Sequence, residues 1–245
     1  MGVRSLGACR ATRTKTGGGG LTRAHSYFEV FIFLAGEFGT VALAANSIAY
    51  SFIPVCFTIP LGIQVGLTSR VGDLLARGQH QAAGALMRAV FTFALGLALA
   101  TGITVFFARD ALIGVYTNNP RVAETARLIW PLLAGFVVLD ATFGCQSGIM
   151  RAISQQAYFS GLVFGSLFVL GLPSVALLGF AFRLGLVGLW MAFPFPYVVL
   201  NVLLWRRWRA FDLASFARDV VDRESRVAVA ARQSSPSPAW ITSDH

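Results

Sequence analysis

Residues 128–150 read LIWPLLAGFVVLDATFGCQSGIM, 23 residues with a single formal charge, Asp140. A bilayer core about 30 Å thick takes roughly 20 residues of helix at 1.5 Å each, so this stretch is long enough to cross one. Four further stretches carry no charge at all: Phe38–Ser69 (32 residues), Ala89–Ala108 (20), Ala152–Phe182 (31) and Leu184–Trp205 (22). Their apolar character is all-round and long, whereas membrane barrel strands alternate over roughly ten residues. Each therefore reads as a spanning helix.

Composition agrees. Hydrophobic residues make up 56% of the 245 and charged residues only 13%, against about 25% charged in a soluble domain. A soluble monomeric enzyme is excluded as the default class. The net charge of +9 does not form a basic face of the kind that binds nucleic acid. The arginines sit between apolar blocks, where topology signals sit in a membrane protein.

A sixth segment, Ala24–Gly36, is 13 residues long and interrupted by His25 and Glu29. At about 20 Å of helix it falls some 10 Å short of a crossing. Part of the first span is expected to be missing from this chain, in preference to a stunted span that thins the bilayer. Six spans give three regions: a basic, disordered tail over residues 1–23, a transmembrane bundle over 24–208, and a cytoplasmic tail over 209–245. In that last tail Phe211, Ala214, Phe216 and Val220 lie among Arg218, Asp219 and Asp222, the pattern of one short amphipathic surface helix. Arg4, Arg10, Arg13, Lys15, Arg23, Arg70, Arg77, Arg88, Arg151, Arg206, Arg207 and Arg209 fall on one side of such a bundle. Only Arg109, Arg121, Arg127 and Arg183 fall on the other, so both termini are expected to be cytoplasmic. Trp130, Trp190, Trp205 and Trp208 stand near span ends, where indoles sit at headgroup level.

Function is sought where the apolar composition is violated. A central Asp costs about 2.5–3.5 kcal/mol to insert, so Asp140 should face a bundle interior or cavity and is a candidate site by default. A carboxyl that gains and loses a proton there can carry it across. Glu29 is the second candidate; Glu37, beside Gly36 and Gly39, reads as a loop residue. Pro54, Pro60, Pro131, Pro173, Pro194 and Pro196 should bend the spans. Gly144/Gly148 and Gly161/Gly165 are G-x-x-x-G pairs that permit close helix approach. Cys9, Cys56 and Cys145 have neither metal nor disulfide spacing. His25, His80 and His245 are too scattered to ligate, and no phosphate loop or catalytic constellation is present. The chain reads as no enzyme and implies no cofactor or metal.

Several motifs then resemble one family. Ile59-Pro60-Leu61-Gly62, Ser69-Arg70-Val71-Gly72-Asp73, Gly78, Ala82 and Ala83 resemble the segments between the seventh and ninth helices of the multidrug and toxic compound extrusion (MATE) transporters. Phe28-Glu29 and Ala35-Gly36 resemble their seventh helix, and Leu139-Asp140, Gly144, Ser147-Gly148 and Arg151 their tenth. Gln156 and Gly171-Leu172-Pro173 resemble the eleventh, and Gly185, Gly188, Leu189 and Trp190 the start of the twelfth. The similarity covers Tyr27–Trp208. It departs at Ala152-Ile153-Ser154-Gln155, where the family has a Gly-rich turn, and at Val163 and Leu167-Phe168.

The resemblance implies one six-helix lobe of a two-lobe transporter. It implies export of organic cations, drugs or metabolites in exchange for H+ or Na+, with Glu29 and Asp140 carrying cation binding and coupling. Alternating access rocks one half against another, so a second lobe or a second copy of the chain is implied as partner. The other reading is a truncated, non-transporting membrane protein or assembly partner derived from such a transporter.

Overall fold

The computed structural model describes residues 31–234, which are helical throughout apart from short turns and contain no strand. Residues 31–36 form a helical turn and a half. Then follow α1 (Thr40–Ala76), α2 (His80–Phe107), the short α3 (Arg109–Tyr116), α4 (Pro120–Ala152), α5 (Gln156–Ala181), α6 (Gly185–Arg209) and α7 (Leu213–Ser234). Five of these, α1, α2, α4, α5 and α6, are long and apolar enough to cross a membrane. Glu29 and the basic tail lie outside the described residues.

Helix ends follow local chemistry. Asn119 caps α4, its Oδ1 accepting from the Arg121 N–H at 3.1 Å, and Pro120 takes the first position, where its missing N–H costs nothing. Helix α1 runs on through Arg70 and Asp73 until Gly78, at φ +71, lets Gln79 N–H close back on Leu74 O (2.9 Å). The same closure ends α4, where Gln155 N–H bonds Met150 O (2.8 Å), but there Ser154 holds the left-handed conformation at φ 57. The Gly-rich turn expected from the resemblance is thus kept as a shape without its glycine.

Helix α4 is the hub, packing along α1, α2 and the second half of α6. Lipid tails are as apolar as leucine, so close packing and interhelical hydrogen bonds hold such helices together. At Gly148 an added Cβ would stand 2.9 Å from Gln64 O, and at Gly144 2.8 Å from the Phe57 ring. Both glycines are therefore needed for the α1–α4 approach. Gly161 and Gly165 differ: a Cβ there meets nothing within 4 Å, so this second pair mediates no close approach among the described residues. Around Pro173 helix α5 widens into π-helical turns at Gly165–Gly171 and Ala176–Ala181. Pro194 restarts α6 after a turn at Phe193. Val55, Ile59, Val65, Phe93 and Ile103 face outward from α1 and α2.

The indoles depart from the expectation of a headgroup belt. Trp130 and Trp190 are fully enclosed and donate to Val105 O (2.8 Å) and Asn46 Oδ1 (3.0 Å). Trp208 is also buried, and only Trp205 of the four is exposed. A buried indole with an internal acceptor is a packing anchor between helices.

Candidate functional site

Asp140 lies on α4, twelve residues before Ala152, which places it about 18 Å from the helix end. It is 8% exposed, and no described residue donates a hydrogen bond to its carboxyl. Its helix face continues through Phe136 and Val137 one turn earlier and Gly144 and Ser147 later. Phe136 packs against Phe193 and Tyr197 of α6, with ring centroids 4.4 and 4.8 Å away. Gly144 receives Phe57 of α1. Asp140 is thus enclosed where α1, α4 and α6 meet. Its neighbours Val137 and Ala141 line a crevice with Cys56, Pro60, Ala98 and Thr101, about 10 Å³ in volume, close to the space one water needs.

Although Glu29 itself is outside the described residues, the helical turn that follows it is tied into this region. Phe31 is buried, with its ring 4.2 Å from Phe193 and 5.7 Å from Trp190. Phe31 and Phe136 therefore pack on the same ring, Phe193. Glu37 is exposed in the turn before α1.

Marking only charges misses a set of uncharged polar residues that the structure brings together. The Gln64 carboxamide lies 2.6 Å from Ser147 Oγ. With its oxygen turned to that side, it accepts from Ser147 and from both Arg151 guanidinium nitrogens at 3.0 and 2.9 Å, the orientation that matches donors to acceptors. Thr68 Oγ1 donates to Gly148 O at 3.1 Å. On the opposite side of α4, Gln146 Nε2 donates to Asn201 Oδ1 (2.7 Å), and Asn201 Nδ2 donates to Leu139 O (3.1 Å) and Tyr197 O (2.8 Å). These bonds fix α4 from two sides within about three turns of Asp140. Among the described residues four side-chain polar atoms are covered without partners, and two of them, Asn46 Nδ2 and Gln146 Oε1, belong to this region. The signal for the amides and hydroxyls was a polar side chain inside a charge-poor run.

At the far end from Arg151, Asp110 accepts from Arg127 at 2.7 Å and Arg109 at 3.5 Å. Among the described residues no three His, Cys, Asp or Glu side chains gather as a metal would require.

Residues 24–177 match the family model MatE. An uncharacterized transporter of Schizosaccharomyces pombe is 30% identical over 66% of this chain and 31% of its own length. Multidrug and toxin extrusion protein 2 of Mus musculus is 29% identical over 66% of this chain and 28% of its own. The crystal structure of the eukaryotic MATE transporter AtDTX14 superposes with a TM-score of 0.76 at 23% identity, covering 80% of this chain and 44% of that one. The chain spans about a third of those curated relatives and under half of that structure.

Proposed function

This chain belongs to the MatE family, and from that premise we propose that it acts as one lobe of a secondary antiporter, exporting organic cations or metabolites in exchange for H+ or Na+. The observation that carries the proposal is Asp140, enclosed between three helices with no donor among the described residues to balance its negative charge. Such a carboxylate is stable only with a proton, a metal cation or an organic cation beside it. An organic cation binds when the carboxylate is bare, and protonation or Na+ binding releases it. The two ligands compete for one group, so a gradient of one drives the other. Glu29, two residues before Phe31, is assigned the same chemistry.

Asp140 needs access from each side in turn, which requires a second half to rock against. That half is proposed to be another lobe or a second copy of this chain. The excess of arginines at the end of the bundle that holds Arg70, Arg88, Arg151 and Arg206 supports cytoplasmic termini, with residues 24–208 as the transmembrane unit. The second reading is a truncated, non-transporting membrane protein or assembly partner derived from such a transporter.

Vesicles containing the chain and preloaded with tetraphenylphosphonium, given an inward proton or Na+ gradient, test the proposal. Gradient-driven efflux that Asp140→Asn abolishes is expected. Efflux at the parental rate in Asp140→Asn overturns it, and no efflux from the parent favours the assembly partner.

A further inference from the structure

Where α2 begins and α6 ends, the chain forms a partly open cavity, separate from the crevice beside Asp140. Helix α6 ends in a tight turn, with Ala210 N–H bonded to Arg206 O (3.1 Å) and Phe211 N–H to Trp208 O (3.4 Å). Asp212 then caps α7, its Oδ1 accepting from the N–H groups of Ala214 (3.0 Å) and Ser215 (3.2 Å). The turn folds α7 back on α2, with Leu213 against Gly84: a Cβ at Gly84 would stand 3.3 Å from Leu213 Cδ1 and 3.6 Å from Arg88 Nη1. A cavity of 270 Å³ remains, walled by Met87, Trp208, Phe211 and Leu213 and flanked by Arg88 and Arg209.

Three features of this cavity point to one ligand chemistry. Neither guanidinium has a carboxylate partner among the described residues, whose ion pairs are both made by Asp110. Arg209 is held over the Trp205 ring, 4.7 Å from its centroid, and so remains presented at the helix end. Asp212, the nearest acid in sequence, is committed to the cap and is held anionic by Ser215 and Arg218. The lining thus offers two unneutralised cations on an otherwise apolar wall.

We infer that this cavity binds the phosphate-bearing headgroup of an anionic phospholipid. Guanidinium groups pair with phosphate oxygens through charge-assisted hydrogen bonds. The apolar walls favour a lipid over a free phosphate, because they offer surface to glycerol and acyl carbons. The cavity opens at the ends of two spanning helices, where headgroups lie, and basic pockets between spanning helices bind acidic lipids elsewhere. Lipid bound there would clamp α7 to α2 and α6. The inference is independent of transport.

Native mass spectrometry of the full chain in detergent, titrated with phosphatidylglycerol and with phosphatidylcholine, tests it. Phosphatidylglycerol is expected to be retained preferentially. Each arginine near the surface contributes roughly a fivefold effect, so Arg88→Gln with Arg209→Gln should weaken retention about 30-fold. Arg88→Lys with Arg209→Lys should keep it, and Arg183→Gln, at the opposite end, should leave it unchanged. The inference is overturned if the double glutamine variant retains the lipid like the parent, or if Arg183→Gln loses it equally. It is also overturned if millimolar inorganic phosphate displaces the lipid, which would make the ligand a soluble anion.

Discussion

Replacing Gly148 by alanine tests how α1 and α4 are held together. The added Cβ would lie 2.9 Å from Gln64 O, 3.1 Å from Gln64 Cγ and 3.2 Å from Gln64 Cα. Two of these are backbone atoms, so no rotamer change relieves the contact and α1 must move away by several tenths of an ångström. Overpacking of this kind costs about 1–3 kcal/mol. The shift also stretches the Gln64–Ser147 contact (2.6 Å) and the Thr68–Gly148 bond (3.1 Å), each worth about 0.6 kcal/mol between membrane helices. Against this, alanine gains up to about 1 kcal/mol over glycine in helix propensity. The net loss is about 1–3 kcal/mol. Gly161→Ala is the matched control, since its Cβ meets nothing within 4 Å and only the propensity gain applies. Reversible unfolding in mixed micelles with increasing dodecyl sulfate, followed by circular dichroism, should place Gly148→Ala below the parent and Gly161→Ala at or above it. Equal midpoints for the two variants would refute the close-approach reasoning.

Three further substitutions probe other parts of the structure. Ser154→Gly should stabilise the end of α4 by about 0.5–1 kcal/mol, because a left-handed non-glycine residue costs about 1–2 kcal/mol, partly offset by glycine's freedom in the unfolded chain; a lower unfolding midpoint would contradict this. Trp190→Phe removes the donor to Asn46 Oδ1 (3.0 Å) and leaves a buried amide without partners, costing about 1–3 kcal/mol beyond lost packing. Adding Asn46→Ala should recover about 1 kcal/mol, and strict additivity in that double-mutant cycle would exclude the coupling. The Ser215 N–H and hydroxyl hold the Asp212 carboxyl below the usual carboxylate range. Its cap therefore stabilises α7 above the unfolded-state value of about 3.9 and is lost as pH falls through the lower folded value. Asp212→Ala should accelerate amide exchange at Ala214 and Ser215 near neutral pH, with the difference from the parent vanishing in strong acid; unchanged exchange near neutrality would contradict the cap.

How far residues alone disclose this molecule depends on the physical signal each feature leaves. Spanning helices must be apolar all round, so five charge-poor runs were enough to find α1, α2, α4, α5 and α6. Boundaries were less visible: α1 continues to Ala76 past Arg70 and Asp73 because charged side chains at a helix end can reach water. Asp140 declared itself by the cost of a carboxylate in lipid. The amides that fix its helix did not, since Gln64, Gln146 and Asn201 carry no charge and their partners lie 55 to 83 residues away. Trp130 and Trp190 misled for the opposite reason: an indole near a span end satisfies either the interface or a buried acceptor, and pattern does not distinguish them. G-x-x-x-G spacing likewise shows that two helices can approach, and only the partner helix decides that Gly148 does and Gly161 does not.

Competition for the Asp140 carboxylate is tested most directly by what leaves when an organic cation arrives. Purified chain in weakly buffered detergent, with a pH-sensitive dye, is titrated with tetraphenylphosphonium, which carries a permanent charge and no proton of its own. Release of protons in step with the cation bound, or of Na+ where sodium is preloaded, is predicted for the parent. Neither tight binding nor release is predicted for Asp140→Asn. Parental affinity in Asp140→Asn, or tight binding to the parent with no ion released, would contradict it.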